Sequence, residues 1–229
     1  MPHTSSWSFL LLLAVGCAGP EALRRAVDEH DNQAVRAMLE KGVNPNENGR
    51  FDTPALVVAA ERGNIEAVEA LLAAGAAPEG DKPSLSRGEM EPSRETPLYL
   101  AVRGGHADVV AALLAAGADA GVRPARDEAL ITSAAAAGEW EVVAALARGG
   151  AETTWSDEHG ATPLHLAAVA GRTDVVEALL AAGAPRDARD YEGWTPLHRA
   201  AAAGNPAIVA ALLRGGASTT LTDADGRTA

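Results

Sequence analysis

Two histidines, His165 and His198, occur at equivalent places in the same sequence context, Thr-Pro-Leu-His. Equivalent positions in stacked helical units would lie roughly 10 Å apart, the distance between packed helices. Metal ligands must approach their ion to about 2 Å, so these two rings are not expected to share one. Glu158 and His159 form a second polar pair, in a short turn. A lone exposed pair is weak evidence for a metal site.

The remaining patterns do not predict catalysis. The sequence has no phosphate-binding Gly-x-x-x-x-Gly-Lys-Ser/Thr loop and no Gly-x-Ser-x-Gly nucleophile turn. Its one cysteine, Cys17, cannot form an intramolecular disulfide, and it lies outside the body of the chain that carries the histidines. We therefore expect no enzymatic activity, no cofactor and no metal. The net charge of −12 argues against a nucleic-acid partner, which would require a basic surface.

The residues around His165 predict two short helices joined by a turn. Thr162 is a typical N-cap and Pro163 suits the first helical position. The first helix should end at Gly171, and the second should begin at Thr173 and stop before Gly183, because glycine adopts the left-handed conformation that closes helices. Such a hairpin cannot bury its apolar face alone and needs a copy of itself on each side.

The copies recur along the chain with a fixed period. The glycine that closes the second helix returns after about 33 residues at each step, except for one longer step between Gly75 and Gly117. These glycines are Gly42, Gly75, Gly117, Gly150, Gly183 and Gly216. A regular period of this length indicates one continuous solenoid rather than separate globular domains.

The period and the Thr-Pro-Leu-His start resemble the ankyrin repeat. Residues 162–168 and 195–198 carry the resemblance, and residues 96–99 carry it with Tyr99 in place of histidine. It covers about residues 20–229 and implies an all-α solenoid of about six helix-pair units with projecting turns. It also implies a structural hydrogen-bonding role for His165 and His198, and a concave groove lined by the turns and the first helices.

The predicted ankyrin repeat domain divides into a polar capping unit, five repeats and a partial turn. The boundaries are 20–44 for the cap, about 45–78, 79–120, 121–153, 154–186 and 187–219 for the repeats, and 220–229 for the partial turn. Residues 79–95 form one lengthened loop between repeats. Residues 129–132 read Ala-Leu-Ile-Thr instead of Thr-Pro-Leu-His, so this helix start should be weakly capped.

Exposed aromatic and charged residues on the projecting turns are the candidates for protein binding, because such residues anchor interfaces. They are Arg50, Phe51, Glu128, Trp155, Glu158, His159, Tyr191, Glu192 and Trp194. Trp155, Tyr191 and Trp194 fall on two adjacent turns of a chain with 3% aromatic residues. They are either contact residues or, for the two tryptophans, covers for the neighbouring turn. The acidic surroundings predict a partner with a basic rim.

The N-terminal segment predicts export. Residues 7–16 are apolar but too short to span a bilayer, so residues 1–16 read as a signal peptide. The sequence Leu-Ala-Val-Gly-Cys at residues 13–17 resembles a bacterial lipobox, with Cys17 as the lipid attachment site and 17–19 as a short linker. Ala14 replaces the usual leucine, and residues 1–6 carry no Lys or Arg. Plain secretion without lipidation and an unprocessed N-terminus are the alternatives.

Together these features predict a non-catalytic, monomeric protein-interaction scaffold that contacts the membrane only through its lipid. Its expected location is the bacterial envelope, as an outer-membrane lipoprotein, which the resemblance implies from Ala18, or in the periplasm. One alternative is a cytoplasmic, secreted or host-directed protein of the same fold. The other is a ligand-binding or enzymatic role for the 79–95 loop.

Overall fold

A computed structural model describes residues 19–48, 53–80, 96–122 and 129–229 of the chain. The signal peptide, the lipobox with Cys17 and most of the 79–95 loop lie outside these residues. The candidate binding residues Arg50, Phe51 and Glu128 also lie outside them. The candidates on the turns at 155–159 and 191–194 lie within them.

The described residues form twelve α-helices and no extended strand, in agreement with the predicted all-α class. The first helices of the six hairpins are α1 (Pro20–Asp28), α3 (Ala55–Glu61), α5 (Pro97–Arg103), α7 (Leu130–Ala137), α9 (Pro163–Val169) and α11 (Pro196–Ala202). The second helices are α2 (Asn32–Glu40), α4 (Ile65–Ala73), α6 (Ala107–Ala115), α8 (Trp140–Arg148), α10 (Thr173–Ala181) and α12 (Pro206–Arg214). One hairpin falls within each of the six predicted units.

The helices stack in two layers, one of first helices and one of second helices. Each first helix contacts the first helix of the next hairpin, and the second helices pair in the same way. A ladder of fully or nearly fully buried side chains runs through the first layer: Leu23, Leu56, Leu98, Ile131, Leu164 and Leu197. The core is therefore continuous, and each hairpin is buried by its neighbours, as expected of a solenoid.

The local sequence signals set the helix ends as predicted in the regular hairpins. Helix α9 begins at Pro163 after the N-cap Thr162, and α10 begins at Thr173. Gly171, between them, has φ +77°, a conformation that glycine adopts without steric cost. Helix α3 differs because one extra residue precedes its closing glycine. It begins at Ala55, with Pro54 at the N-cap rather than inside the first turn.

The fourth hairpin shows the weak start expected from its sequence. Ala129 occupies the N-cap of α7 and has no side chain that can cap the helix. Thr132 stands where His165 stands in the next repeat, and its buried hydroxyl has no hydrogen-bond partner in the described structure. A buried hydroxyl without a partner costs stability. The repeat therefore lacks the threonine cap of both neighbouring repeats and the histidine link of the following one.

The C-terminal end of the stack is half covered. Leu212 of α12 is buried, whereas Leu213 is 42% exposed. Residues beyond α12 are held by hydrogen bonds: the backbone N–H of Ala224 donates to the carbonyl of Glu192, 3.3 Å away. Among the described helices none is long and apolar enough to cross a bilayer.

Candidate concave binding groove

A groove with a cavity volume of about 630 Å³ lies along the turns and helices of the fourth to sixth hairpins. Its apolar wall comprises Trp140, Leu166, Val169 and Tyr191, together with alanines of α7 and alanines that flank α9 (Ala135, Ala136, Ala161 and Ala170). Its polar lining comprises Asp157, His159, His165, Glu192 and Arg199. We call this feature the concave groove. It brings together three of the candidates from the sequence, namely His159, Tyr191 and Glu192.

The turns that flank the concave groove are built on aspartates. The Oδ1 atom of Asp157 accepts hydrogen bonds from the backbone N–H groups of His159 and Ala161, both at 2.9 Å. Asp190 holds the next turn in the same way. This local arrangement closes the turn without neighbouring residues, so the turns are rigid supports for the side chains at their tips.

Tyr191 lies at the tip of its turn and is 79% exposed. Its backbone N–H donates to the carbonyl of His159 at 3.0 Å, which ties the two turns together. Its ring lies against Gly160, where a Cβ atom would come within 2.7 Å of the ring. Gly160 also has φ +76°, so a glycine is required there on two grounds. The outer face of the tyrosine ring is left open to the groove.

Trp194 and Trp155 do not line the concave groove, although Tyr191 does. Trp194 is half-buried, and the guanidinium of Arg199 lies 4.7 Å from the centre of its ring. Trp155 is also half-buried. It lines a separate small depression with Val122 and Leu130, and its Nε1 donates to Glu152 at 2.9 Å. The structure therefore separates the three aromatics that the sequence analysis grouped.

Glu158 and His159 remain at the exposed tip of the first turn. Their side chains are 87% and 77% exposed, and the closest N–O distance between them is 3.8 Å. Glu192, on the second turn, pairs with Arg199 at 3.0 Å. The rim of the groove is therefore acidic, since the arginine that lines it is already paired.

His165 and His198 make the structural hydrogen bonds that the resemblance implied. The backbone N–H of Thr162 donates to Nδ1 of His165 at 3.1 Å, so this nitrogen carries no proton. The other nitrogen, Nε2, then donates to the carbonyl of Trp194 at 3.0 Å, in the next repeat. His198 repeats the arrangement, with Nε2 3.1 Å from the carbonyl of Arg227. The two histidines link neighbouring turns.

Burial lowers the pKa of the His165 ring below its usual value, and Arg199 acts in the same direction. The hydrogen bond to the Trp194 carbonyl and the charge of Asp190 oppose this shift. Burial dominates because the charged ring loses its hydration. The lowered pKa favours the neutral ring, which is also the form that the hydrogen bonds of His165 require. Within the described residues, no cluster of three or more His, Cys, Asp or Glu side chains could hold a metal ion.

Sequence reasoning missed several residues of the groove, above all Val169 and Leu166. Val169 is 54% exposed, although an apolar residue in a short helix would ordinarily be assigned to the core. One signal was available. The equivalent positions of the preceding and following repeats hold Ala136 and Ala202, so the repeat comparison marks a large apolar side chain at a position where small ones are used.

The chain is similar to known ankyrin repeat proteins over nearly all of its length. The family model described as ankyrin repeats (three copies) matches residues 14–124 and 125–228. The crystal structure of the human ASB11 ankyrin repeat domain is 28% identical, with a TM-score of 0.54, covering 90% of this chain and 88% of that one. No curated protein sequence matches the chain.

A second solved structure is an ankyrin repeat domain from the bacterium Acinetobacter baumannii AYE. It is 26% identical, with a TM-score of 0.60, and the match covers 86% of this chain and 98% of that one. The stacked hairpins, their regular period and the histidine-linked turns agree with the family match over most of the sequence. The chain belongs to the ankyrin repeat family.

Proposed function

We propose that this protein is a non-catalytic scaffold that binds a protein partner in the concave groove. Ankyrin repeat domains generally act as protein–protein interaction scaffolds. The observation that carries the proposal is the exposed apolar surface of Tyr191 and Val169, which are 79% and 54% exposed on a rigid frame. Exposed apolar side chains inside a polar rim are typical of interaction sites.

The acidic rim specifies the partner further. The carboxylates of Glu158 and Glu192 lie on the turns beside the apolar wall, and the whole chain carries a net charge of −12. A partner with a basic rim would be attracted over a distance and would associate more slowly as salt screens the charges. In this proposal Trp155 and Trp194 stabilise the turns, because both side chains are half-buried and contact other residues of this chain.

Replacing Tyr191 with alanine should weaken partner binding by at least about 2 kcal/mol, the usual cost of truncating an interface anchor. Val169→Glu should weaken it more, because it places a carboxylate in the apolar wall. The measurement is affinity capture from extracts of cells that express the protein, with bound proteins quantified by mass spectrometry. Proteins captured by the wild type should be lost with both variants.

Leu213→Ala is the matched control, because Leu213 is also a large exposed apolar residue but lies on α12, outside the groove. This variant should capture the same proteins as the wild type. Circular dichroism should show that all variants keep their helices. Equal capture by the wild type and both groove variants would contradict the proposal and would favour the alternative site on the 79–95 loop.

We also propose that the scaffold is anchored in the bacterial envelope by a lipid on Cys17. The support is the Leu-Ala-Val-Gly-Cys sequence after an apolar run of residues 7–16. Such a chain would be monomeric, with the repeats displayed from the membrane surface. Plain export without lipid, and a cytoplasmic or host-directed protein, remain the competing locations.

Replacing Cys17 with alanine should abolish membrane retention, because the thiol is the only site to which this lipid can be joined. The wild-type chain should enter the detergent phase in a phase-separation assay, and its mass should exceed that of residues 17–229. The variant should stay in the aqueous phase. Equal partitioning of the two chains would rule out the lipid anchor.

A further inference from the structure

Three successive turns of this protein are built on an aspartate at the same position of the repeat: Asp157, Asp190 and Asp223. In each turn Oδ1 accepts two backbone N–H groups, at positions two and four residues further on. The donors are His159 and Ala161 for the first turn, Glu192 and Trp194 for the second, and Asp225 and Arg227 for the third. The three aspartates therefore have the same backbone role.

The second carboxylate oxygen distinguishes the first turn from the others. Oδ2 of Asp190 accepts two hydrogen bonds from the guanidinium of Arg199, at 2.9 and 2.6 Å. Oδ2 of Asp223 accepts two from Arg227, at 2.9 and 2.8 Å. In the described structure, Oδ2 of Asp157 has no hydrogen bond and no ion pair. The carboxylate of the first turn therefore lacks the arginine that pairs with the equivalent carboxylates of the second and third turns.

The repeat comparison explains why this cation is missing. The position equivalent to Arg199 in the preceding repeat is occupied by Leu166. The position four places after Asp157, where the third turn has Arg227, is occupied by Ala161. Neither side chain carries a charge. The protein supplies an arginine to two of the three aspartates, and the one that lines the concave groove has none from these positions.

The missing side chains also account for the open space. In the next repeat the guanidinium of Arg199 lies over the ring of Trp194, 4.7 Å from its centre. The equivalent pair in this repeat is Leu166 and Ala161. Both of these smaller residues line the concave groove, next to Asp157. The volume that an arginine and an aromatic ring occupy in one repeat is thus part of an open groove in the other.

We propose that the concave groove binds an arginine side chain of the partner, whose guanidinium pairs with Oδ2 of Asp157. The inference rests on the proposed function and names the chemistry of the segment bound. A guanidinium suits the site because its planar fork can donate two parallel hydrogen bonds to a carboxylate. The adjacent apolar wall of Val169 and Tyr191 receives an apolar side chain next to that arginine.

The charges around Asp157 favour a cationic ligand. Glu158 and Glu192 stand on the two turns that flank it, and Arg199 is occupied by Asp190 and Glu192. His159 faces Glu158 at 3.8 Å. An arginine from outside therefore meets a carboxylate that is half-buried, already oriented by two backbone N–H groups and not neutralised by a cation of the described chain.

The test uses the full chain and a display library of random 12-residue peptides as the probe. Selection should enrich peptides in which arginine stands beside an aromatic or aliphatic residue. Asp157→Asn should weaken the binding of a selected peptide roughly tenfold or more, the cost of losing a charged hydrogen-bonded pair. This substitution keeps the oxygen that closes the turn, so the turn itself is preserved.

Leu166→Arg is a second variant that tests the same idea from the opposite direction. It places an arginine where the next repeat has Arg199, so the chain itself should occupy Oδ2 of Asp157. Peptide binding should fall roughly tenfold or more, while the melting temperature of the free protein stays the same or rises. Asp223→Asn is the matched control, because it changes an equivalent aspartate outside the groove and should leave peptide binding unchanged.

The outcomes separate this inference from the proposed function. Selected peptides that lack arginine but lose binding with Val169→Glu would overturn the inference and support the groove as a protein-binding site. Peptides that bind all variants equally, or a selection without enrichment, would overturn the inference. Equal capture from cell extracts by the wild type and the groove variants would overturn the proposed function itself.

Discussion

Replacing Asp190 with alanine is expected to lower the free energy of unfolding by about 3 kcal/mol, the size of effect seen when one partner of a buried ion pair is removed. The side chain of Asp190 is fully buried, and it accepts hydrogen bonds from two backbone N–H groups and from Arg199. The substitution leaves all of these donors without their acceptor. The backbone donors are the costlier part, because Arg199 retains some access to water and to Glu192.

Glu192→Ala is the matched control, because it removes the other carboxylate that pairs with Arg199. The Glu192 side chain is 67% exposed, and exposed ion pairs contribute about 1 kcal/mol or less. Asp190→Asn should fall between the two, since it keeps the oxygen that accepts from the backbone. Urea denaturation followed by circular dichroism measures all three. An Asp190→Ala variant as stable as Glu192→Ala would show that the turn is held by other contacts.

Replacing His165 with alanine is expected to cost about 3 kcal/mol near neutral pH, where the ring is neutral. The variant removes a fully buried ring, the acceptor of the Thr162 N–H and the donor to the Trp194 carbonyl. The cost combines a cavity with two buried polar groups that lose their partner. It should exceed that of an ordinary surface substitution several-fold.

The stability that His165 contributes should also decrease in acid. Burial holds the folded-state pKa of this ring below its value in the unfolded chain, which is about 6.5. The unfolded state therefore binds more protons as the pH falls below about 6.5, so acid favours unfolding until the folded-state pKa is reached. Above about pH 6.5 the contribution is complete.

The test is to compare wild type and His165→Ala by urea denaturation from neutral to mildly acidic pH. The difference in unfolding free energy between the two chains should shrink as the pH falls, because only the wild type has this ring to protonate. Other groups titrate equally in both chains, so the difference isolates His165. A difference that stays constant over this range would mean that the ring has the same proton affinity in both states.

The repeat pattern in the sequence was sufficient for most of the fold. Thr162 and Pro163 start a helix because a hydroxyl cap and a fixed φ act within a few residues. The closing glycines act just as locally, and the period then specifies which faces must be buried. The extra residue between Thr53 and the closing glycine of α3 and the missing cap of α7 were also visible, since both are departures from a local rule.

Which residues line the concave groove could be known only from the tertiary structure. Tyr191 and Trp194 stand close together on one turn and look equally suited to binding in the sequence. Arg199, which follows the tryptophan on the next helix, lies over its ring and leaves the tyrosine as the exposed aromatic. The contact between the Arg199 guanidinium and the Trp194 ring decides which aromatic is exposed, and the spacing of residues in the sequence does not predict that contact.

The sequence by itself determined that this chain is a stack of helix hairpins with projecting turns, because caps, glycine stops and a regular period are local or periodic signals. Only the tertiary structure showed that Asp157 lacks the arginine that Asp190 has. The reason is that Arg199 reaches Asp190 from the following helix. Leu166 occupies the position equivalent to Arg199. That it leaves Asp157 without an arginine can be recognised only when the contact between Arg199 and Asp190 is known.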